Sequence, residues 1–410
     1  MIFVNKKFLF IAGFILSSLL IGFLIYKLFF ATSVTTPDSE TTGTSTTKQK
    51  GFPDATTGNN TKTEEKASYT ENEERKSFIE ANDFARGGLT KTTEVSNKTS
   101  LGAALSADKN GVQFYNKDEG KFYKVDSAGN LEALSDKVFH NAEKITWANV
   151  KNQAIIEYPD GANIIYNFDE KKQVTLPNHW KDFNFSSDGE KIVAKSIGYS
   201  EENRWLAVVN DDGTKMKAIE AIGNKDATVY PSWSPNNQSV AMFSESTDFD
   251  NQELYFVGMN KENFKSLQIN GRGFEHQWAP GGEKLLYSVY SSDNEMNPSL
   301  WITDAIGDKI GLNKKNLNLD TWASKCLFSD KETVYCAVPD SLPEGSGLAP
   351  EEAKNSKDSL YKIDLTTGIK KLLAIPDGNF NMTNLIITNN DGKLYFTDKN
   401  SGLIHEIRLK

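Results

Sequence analysis

The residues able to do chemistry are few and widely spaced. The four histidines, His140, His179, His276 and His405, stand far apart, and no two share a metal-ligand spacing. There is no Walker or dinucleotide fingerprint and no G-x-S-x-G elbow, so the sequence gives no sign of a cofactor or a hydrolase nucleophile. Ser234 sits in a Trp-Ser-Pro triplet without a recognisable base. Asp248-x-Asp250-Asn251 offers hard oxygens of the kind calcium takes, but falls short of an EF-hand loop. What remains is a set of carboxylates in short polar stretches: Glu201 and Glu202 in YSEENR, Asp248 and Asp250 in STDFDN, Asp293 and Glu295 in SSDNEMN, and Asp340, Glu344, Glu351 and Glu352 in PDSLPEGSGLAPEEAKNSKD. Such groups serve either as an acid and base flanking a glycosidic bond or as the charged part of a binding surface.

The elements that must position them are strands. From about Leu89 onward, period-two alternation dominates and long helical periodicity is absent. Runs such as GVQFYN, KFYKV, NIIYNF, ELYFVGM and KLYFTD are bounded by Gly, Asn, Asp and Pro. An apolar anchor followed seven residues later by the start of a second strand recurs at Leu105, Trp147, Phe185, Trp233, Trp278 and Ile387, and at Phe328 with one residue fewer. The anchors are spaced by 42, 38, 48, 45, 50 and 59 residues, in or just beyond the ~40–50 residues typical of a propeller blade. In VYPSWSPNNQSVAMF the aromatic ends an inner strand, proline leaves the ladder, and Asn236-Asn237 turns the chain back. The expected fold is therefore all-β, a seven-bladed β-propeller, with six blades as the alternative. The last repeat lacks an outer strand, and LTKTTEVS, Leu89 to Ser96, is expected to supply it and close the ring.

In a propeller, loops joining second and third strands share a face with the loops between blades. The acidic stretches fall in the first set. The aromatics Trp180, Tyr230, Phe274 and Trp322 fall beside the second. Together they make the candidate binding face, since binding residues concentrate on loops held by a rigid scaffold.

Three blade-like segments, FNFSSDGEKIVAKS, YPSWSPNNQSVAMFS and HQWAPGGEKLLYS, resemble the blade signature of TolB-type propellers, a Trp-Asp-repeat-like family. The resemblance covers about residues 181–304. Asn236-Asn237 replaces the usual Asp-Gly, and the outlying blades lack Trp-Ser-Pro. The resemblance implies a propeller and a habit of binding proteins or peptides. It does not imply membership of the Tol–Pal system.

Charge narrows the partners. The 410 residues carry a net charge of −9, and Lys6, Lys7 and Lys27 are the only charges in the first thirty, so the rest of the chain carries −12. An acidic body disfavours nucleic acid, whose phosphates need Lys and Arg.

Cys326 and Cys336 flank the inner hairpin of the sixth repeat. A turn centred on Lys331 pairs Phe328 with Val334, Leu327 with Tyr335, and Cys326 with Cys336. Directly opposed strand residues come close enough for a disulfide with modest adjustment, whereas a one-residue slip would turn the two thiols to opposite faces. The bridge is the expectation, given an oxidising compartment.

That compartment follows from the N-terminus. Phe8 to Tyr26, FLFIAGFILSSLLIGFLIY, contains no charge, close to the ~20 residues that cross a bilayer as a helix. Lys6 and Lys7 precede it, as cytoplasmic flanks prefer. The core is longer than the roughly 7–15 residues of a cleavable signal, and KLFFATS is a poor cleavage site. The expected order is a cytoplasmic end at 1–7, an uncleaved signal-anchor helix at 8–30, a disordered linker at 31–75 and the propeller at 76–410. Residues 31–70 include 17 Ser or Thr, too polar to offset their ordering entropy. A short helix within ENEERKSFIEANDFARGG, from Glu71, is an open alternative to continued linker. The propeller then lies outside the cytoplasm, periplasmic or extracellular, on a single-pass anchor. Protease added to intact spheroplasts should clip the linker and release the propeller; full protection until lysis would contradict this topology.

Overall fold

In the computed structural model the described residues are 80–388 and 392–410, with five helical positions, Ser17, Leu19, Leu20, Ile21 and Phe23, near the N-terminus. The rest of the expected anchor and the whole linker lie outside the described residues. Among the described residues no helix is long and apolar enough to cross a membrane. Residues 80–87 form no helix.

The described residues build seven sheets in sequence order, one per repeat and antiparallel but for one added strand, as a propeller of seven blades. Blade one comprises Ser100–Leu105, Val112–Asn116, Lys121–Val125 and Leu131–Ala133. Blade two starts at Lys144–Trp147, blade three at Trp180–Phe185, blade four at Val229–Pro231, blade five at Arg272–Trp278, blade six at Cys326–Phe328 and blade seven at Met382–Ile387. Second strands are largely buried, Val112–Asn116 at every position, because they are covered on both faces by neighbouring blades.

In blades one, three and four the first turn is held by one serine. The hydroxyls of Ser106, Ser186 and Ser234 accept the backbone N–H five residues on, at 3.0, 2.9 and 2.9 Å. They donate to Asp108, Asp188 and Asn236, at 2.5, 2.5 and 2.7 Å. The residue after that acceptor, Lys109, Gly189 or Asn237, takes a left-handed backbone, which Gly and Asn tolerate best. Ser234 thus staples a turn, and its hydroxyl is spoken for on both sides. Indole N–H groups tie blades together: Trp147 Nε1 donates to Gly102 O at 2.6 Å, and Trp278 Nε1 to Ser232 Oγ at 3.0 Å.

Ring closure uses the segment expected to do so, divided between two sheets. Thr92–Ser96 pairs antiparallel with Ile404–Arg408 and is the outer strand of blade seven. Gly88–Thr90 pairs instead in parallel with Ala374, Ile375 and Pro376, adding a fifth strand to blade six. Cys326 and Cys336 face each other in the blade-six hairpin and are joined by a disulfide, with 4.1 Å between their Cα atoms.

A buried ion pair fastens blade six to blade seven and to the long acidic loop. Lys325 Nζ lies 2.7 Å from Asp358 Oδ2 and donates to Asn381 Oδ1 at 2.9 Å. Asp358 also accepts the Met382 N–H at 2.5 Å. Asn381 Nδ2 donates to the carbonyls of Ala353 and Lys354 at 3.2 and 3.1 Å. Burial pulls the Lys325 ammonium down and pushes the Asp358 carboxyl up, and the contact between them works against both.

Two outcomes follow. Deleting residues 88–96 strips blade seven of its outer strand, and the melting temperature should fall by roughly 10 °C, or the protein aggregate through the bared edge; deleting 31–70 should change neither. In Lys325→Met, Asp358 is buried alone, at a cost of about 3–5 kcal/mol. Its folded pKa then stands above its unfolded value, so that cost is absent below about pH 4 and grows as pH rises. Melting curves at pH 5 and pH 7 should show the larger loss at pH 7, with recovery in Lys325→Met/Asp358→Leu; a variant that melts like wild type at both would refute the account.

Candidate functional site

The face built from inter-blade loops and second-to-third-strand loops carries an apolar cleft of about 690 Å³ between blades four and five. Two of the sequence-derived aromatics line it. The Tyr230 ring meets Phe274 edge-on at 5.4 Å, and the Tyr230 hydroxyl shares a 3.4 Å hydrogen bond with Ser244. Phe274 in turn stacks on His276 at 5.2 Å. His276 Nε2 is 2.7 Å from Ser232 Oγ. Burial lowers the His276 pKa to about 4. The imidazole is therefore neutral at pH 7, and with the Trp278 N–H already donating to Ser232 Oγ, the serine O–H is free to donate to the ring. This is a packing arrangement beneath the cleft.

The cleft wall depends on Arg272, held between two glycines. Gly271 and Gly273 both have positive φ, and a Cβ on either would meet the Val289 or Tyr290 side chain within 2.6 Å. Only glycine lets the chain pass there. Arg272 then reaches out and fastens the loop of blade four: Nε donates to Phe249 O at 2.9 Å, and the two terminal nitrogens donate to Ser246 Oγ and Asp248 O. Asp248 receives the side chain and backbone N–H of Asn251, at 2.9 and 2.8 Å. The Asn251 amide contributes most to holding the Asp248 carboxyl below the usual range. Asp250 spans the blades, accepting the Ser292 hydroxyl at 2.5 Å and the Ser292 N–H at 3.3 Å. The loop tip leaves Phe249 74% exposed at the cleft lip, with Leu348, 62% exposed, from the long loop of blade six.

The other expected residues lie elsewhere on this face. Trp322 is buried beneath Lys325, whose ammonium sits 5.7 Å from the ring centre. It lines an adjoining cavity of about 150 Å³ that shares Glu275 with the cleft. Asp293 lies in a one-turn helix at Ser292–Asn294, and Glu295, in a left-handed conformation, accepts the Gly345 N–H on its carbonyl at 2.8 Å. Their loop is thus the seat on which the long loop docks. Glu201 and Glu202 are exposed in the turn Glu201–Asn203 of blade three.

Trp180 belongs to a separate cleft between blades two and three, buried against Phe183, Phe185 and Leu176. Beside it runs a ladder of alternating charge. Lys144 lies 3.8 Å from Glu157 and 3.4 Å from Asp182; Lys195 lies 2.8 Å from Asp182 and 3.3 Å from Asp226; Lys181 pairs with Asp226 at 2.5 Å. Burial pushes the Glu157 carboxyl up. Burial acts likewise on Asp182, but the Lys195 and Lys144 ammoniums outweigh it and hold that carboxyl below the usual range. Three cations balance three anions, so the ladder locks blades two, three and four. A lateral groove of about 500 Å³ between blades three and four is lined by Phe243, Tyr255 and Phe264, with Lys225 lying 5.2 Å over Phe243.

Sequence reasoning missed Arg272, Glu275, Phe249 and Leu348. The glycines flanking Arg272 were the available signal. Among the described residues, no group of three or more His, Cys, Asp or Glu is placed to hold a metal ion.

No family model matches the chain, and no curated protein sequence matches it. Its fold is similar to that of solved propellers. The β-propeller domain of Cps50 (Swd1) from Myceliophteria thermophila aligns at 9% identity and a TM-score of 0.52, covering 77% of this chain and 97% of that one. An oligogalacturonate lyase in complex with manganese aligns at 12% identity and a TM-score of 0.50, covering 78% of this chain and 93% of that one. At these identities the likeness is one of fold: the chain is a β-propeller.

Proposed function

We propose that this chain is an extracytoplasmic binding scaffold of the cell envelope, a TolB-type propeller that holds a protein or peptide partner. Residues 8–30 tether it to the bilayer with the N-terminus in the cytoplasm, and 31–75 space the propeller from the membrane surface. The observation that supports this most is the cleft between blades four and five. It is apolar at its floor, its loops are clamped by Arg272 and Asp250, and it leaves Phe249 and Leu348 exposed at its lip. Rigid concave sites with exposed aromatic anchors suit recognition, because little ordering is needed on binding. The rival reading is an envelope hydrolase or lyase acting on glycans, which requires two carboxyls set across a cleft. At this cleft Asp250 already receives hydrogen bonds from Ser292 on both oxygens.

The test is affinity isolation of the full chain from detergent-solubilised envelope, beside Phe249→Ser and Leu348→Ser. A protein recovered at one-to-one ratio with wild type and lost with both variants is the expected result. Absence of any stoichiometric protein, together with turnover of an envelope polysaccharide that Asp250→Asn abolishes, would replace the scaffold by the enzyme.

A further inference from the structure

The cleft between blades four and five has a charge pattern that selects its occupant. The loops at 247–250, 291–297 and 340–357, which surround it, contain eight Asp or Glu against two Lys. Within the cleft, the sole cation lining it, Arg272, has its guanidinium turned inward onto Phe249 O, Ser246 and Asp248 O. Its N–H donors are thus engaged within the loop, and its charge is set against the Asp248 carboxylate of that same loop. Two carboxylates also line the cleft, Asp250 on the loop between the second and third strands of blade four and Glu275 on the first strand of blade five. Neither has an ion-pair partner among the described residues: the Asp250 carboxylate accepts from Ser292, and Glu275 has a long 3.4 Å contact from the Ser324 N–H. An apolar wall lined also by two carboxylates without ion-pair partners among the described residues is the complement of an apolar side chain flanked by cations.

From this we infer that the cleft takes a basic peptide segment, one aromatic or large aliphatic residue seated between Tyr230 and Phe249, with Lys or Arg on either side reaching Asp250 and Glu275. The inference rests on the scaffold reading and adds the chemistry of the partner. A buried aromatic anchor supplies most of the affinity of such a contact. The flanking charges supply register and speed of encounter, and their share falls as salt screens them. A cavity of about 690 Å³ exceeds one side chain, so the backbone around the anchor enters as well. Acidic peptides and anionic polymers are turned away by the same loops.

Three fluorescent peptides test this against the full chain in detergent: a lysine-rich peptide with a central Trp, its glutamate-rich counterpart with the same Trp, and the lysine-rich peptide with Ser for Trp. Binding is read by anisotropy at low and high salt. The first peptide should bind at least about tenfold tighter than either of the others. Phe249→Ser, a change at an exposed side chain, should remove that advantage. Glu275→Gln should leave the Trp preference and flatten the salt dependence. Equal binding of the acidic peptide, or a lysine-peptide affinity unchanged in Phe249→Ser, overturns the inference. Affinity isolation keeps the two readings apart: a stoichiometric partner lost with Phe249→Ser but unaffected by salt and by Glu275→Gln would leave the scaffold standing and the basic segment refuted.

Discussion

A propeller depends on closing its ring. Each blade buries its two faces only against the blade before and the blade after, so the first and last blades are incomplete unless they meet. Here closure rests on one short stretch near the start of the described chain. Residues 92–96 complete blade seven on the far side of Ile404–Arg408, and residues 88–90 lie along blade six. The approach to that stretch is fixed as well, because the Ala85 N–H donates to Arg408 O and the Gly87 N–H to Leu373 O. Everything that faces the clefts is positioned by blades that stay in place because this seam holds.

The junctions are not alike, and their differences decide what each can do. Between blades two and four the ladder from Glu157 to Lys181 fills the junctions with paired charge. Between blades six and seven, Lys325, Asp358 and Asn381 bury a polar network beneath the long loop. Between blades four and five the cation lining the cleft, Arg272, holds a loop, and the cleft wall is largely apolar. The first two junctions present paired charge to whatever enters them, whereas the third presents an apolar wall.

The strands, their order, the turns and the Cys326–Cys336 register were legible because each is set by residues close in sequence. Period two fixes which side chain faces which neighbour, and a Ser with Asp or Asn two positions on fixes a turn. The division of the closing segment between two sheets was not legible, since nothing in LTKTTEVS marks where one partner strand gives way to another. Nor was the cleft. Phe249 and Leu348 come from loops of blades four and six and Arg272 from the first strand of blade five, and exposure at the tip of a loop leaves no mark in composition. Of the expected aromatics, Trp180, Tyr230, Phe274 and Trp322 were all found at blade junctions, but only Tyr230 and Phe274 share a cleft, because the others lie one or two junctions away.

The split seam also has a mechanical meaning. A pull along the chain from its N-terminal side reaches the propeller at residues 80–87 and loads the strand pairs at 88–90 and 92–96 parallel to their own axes. Loaded along its axis, a strand pair resists in shear, its cross-strand hydrogen bonds acting together, whereas a sideways pull would open them one after another; the pair with blade six is met first and the pair with blade seven next. Tension is thereby divided between blades six and seven before it can reach the cleft, so strain on the segment leading in can pass into the molecule without reshaping the surface that a partner would touch.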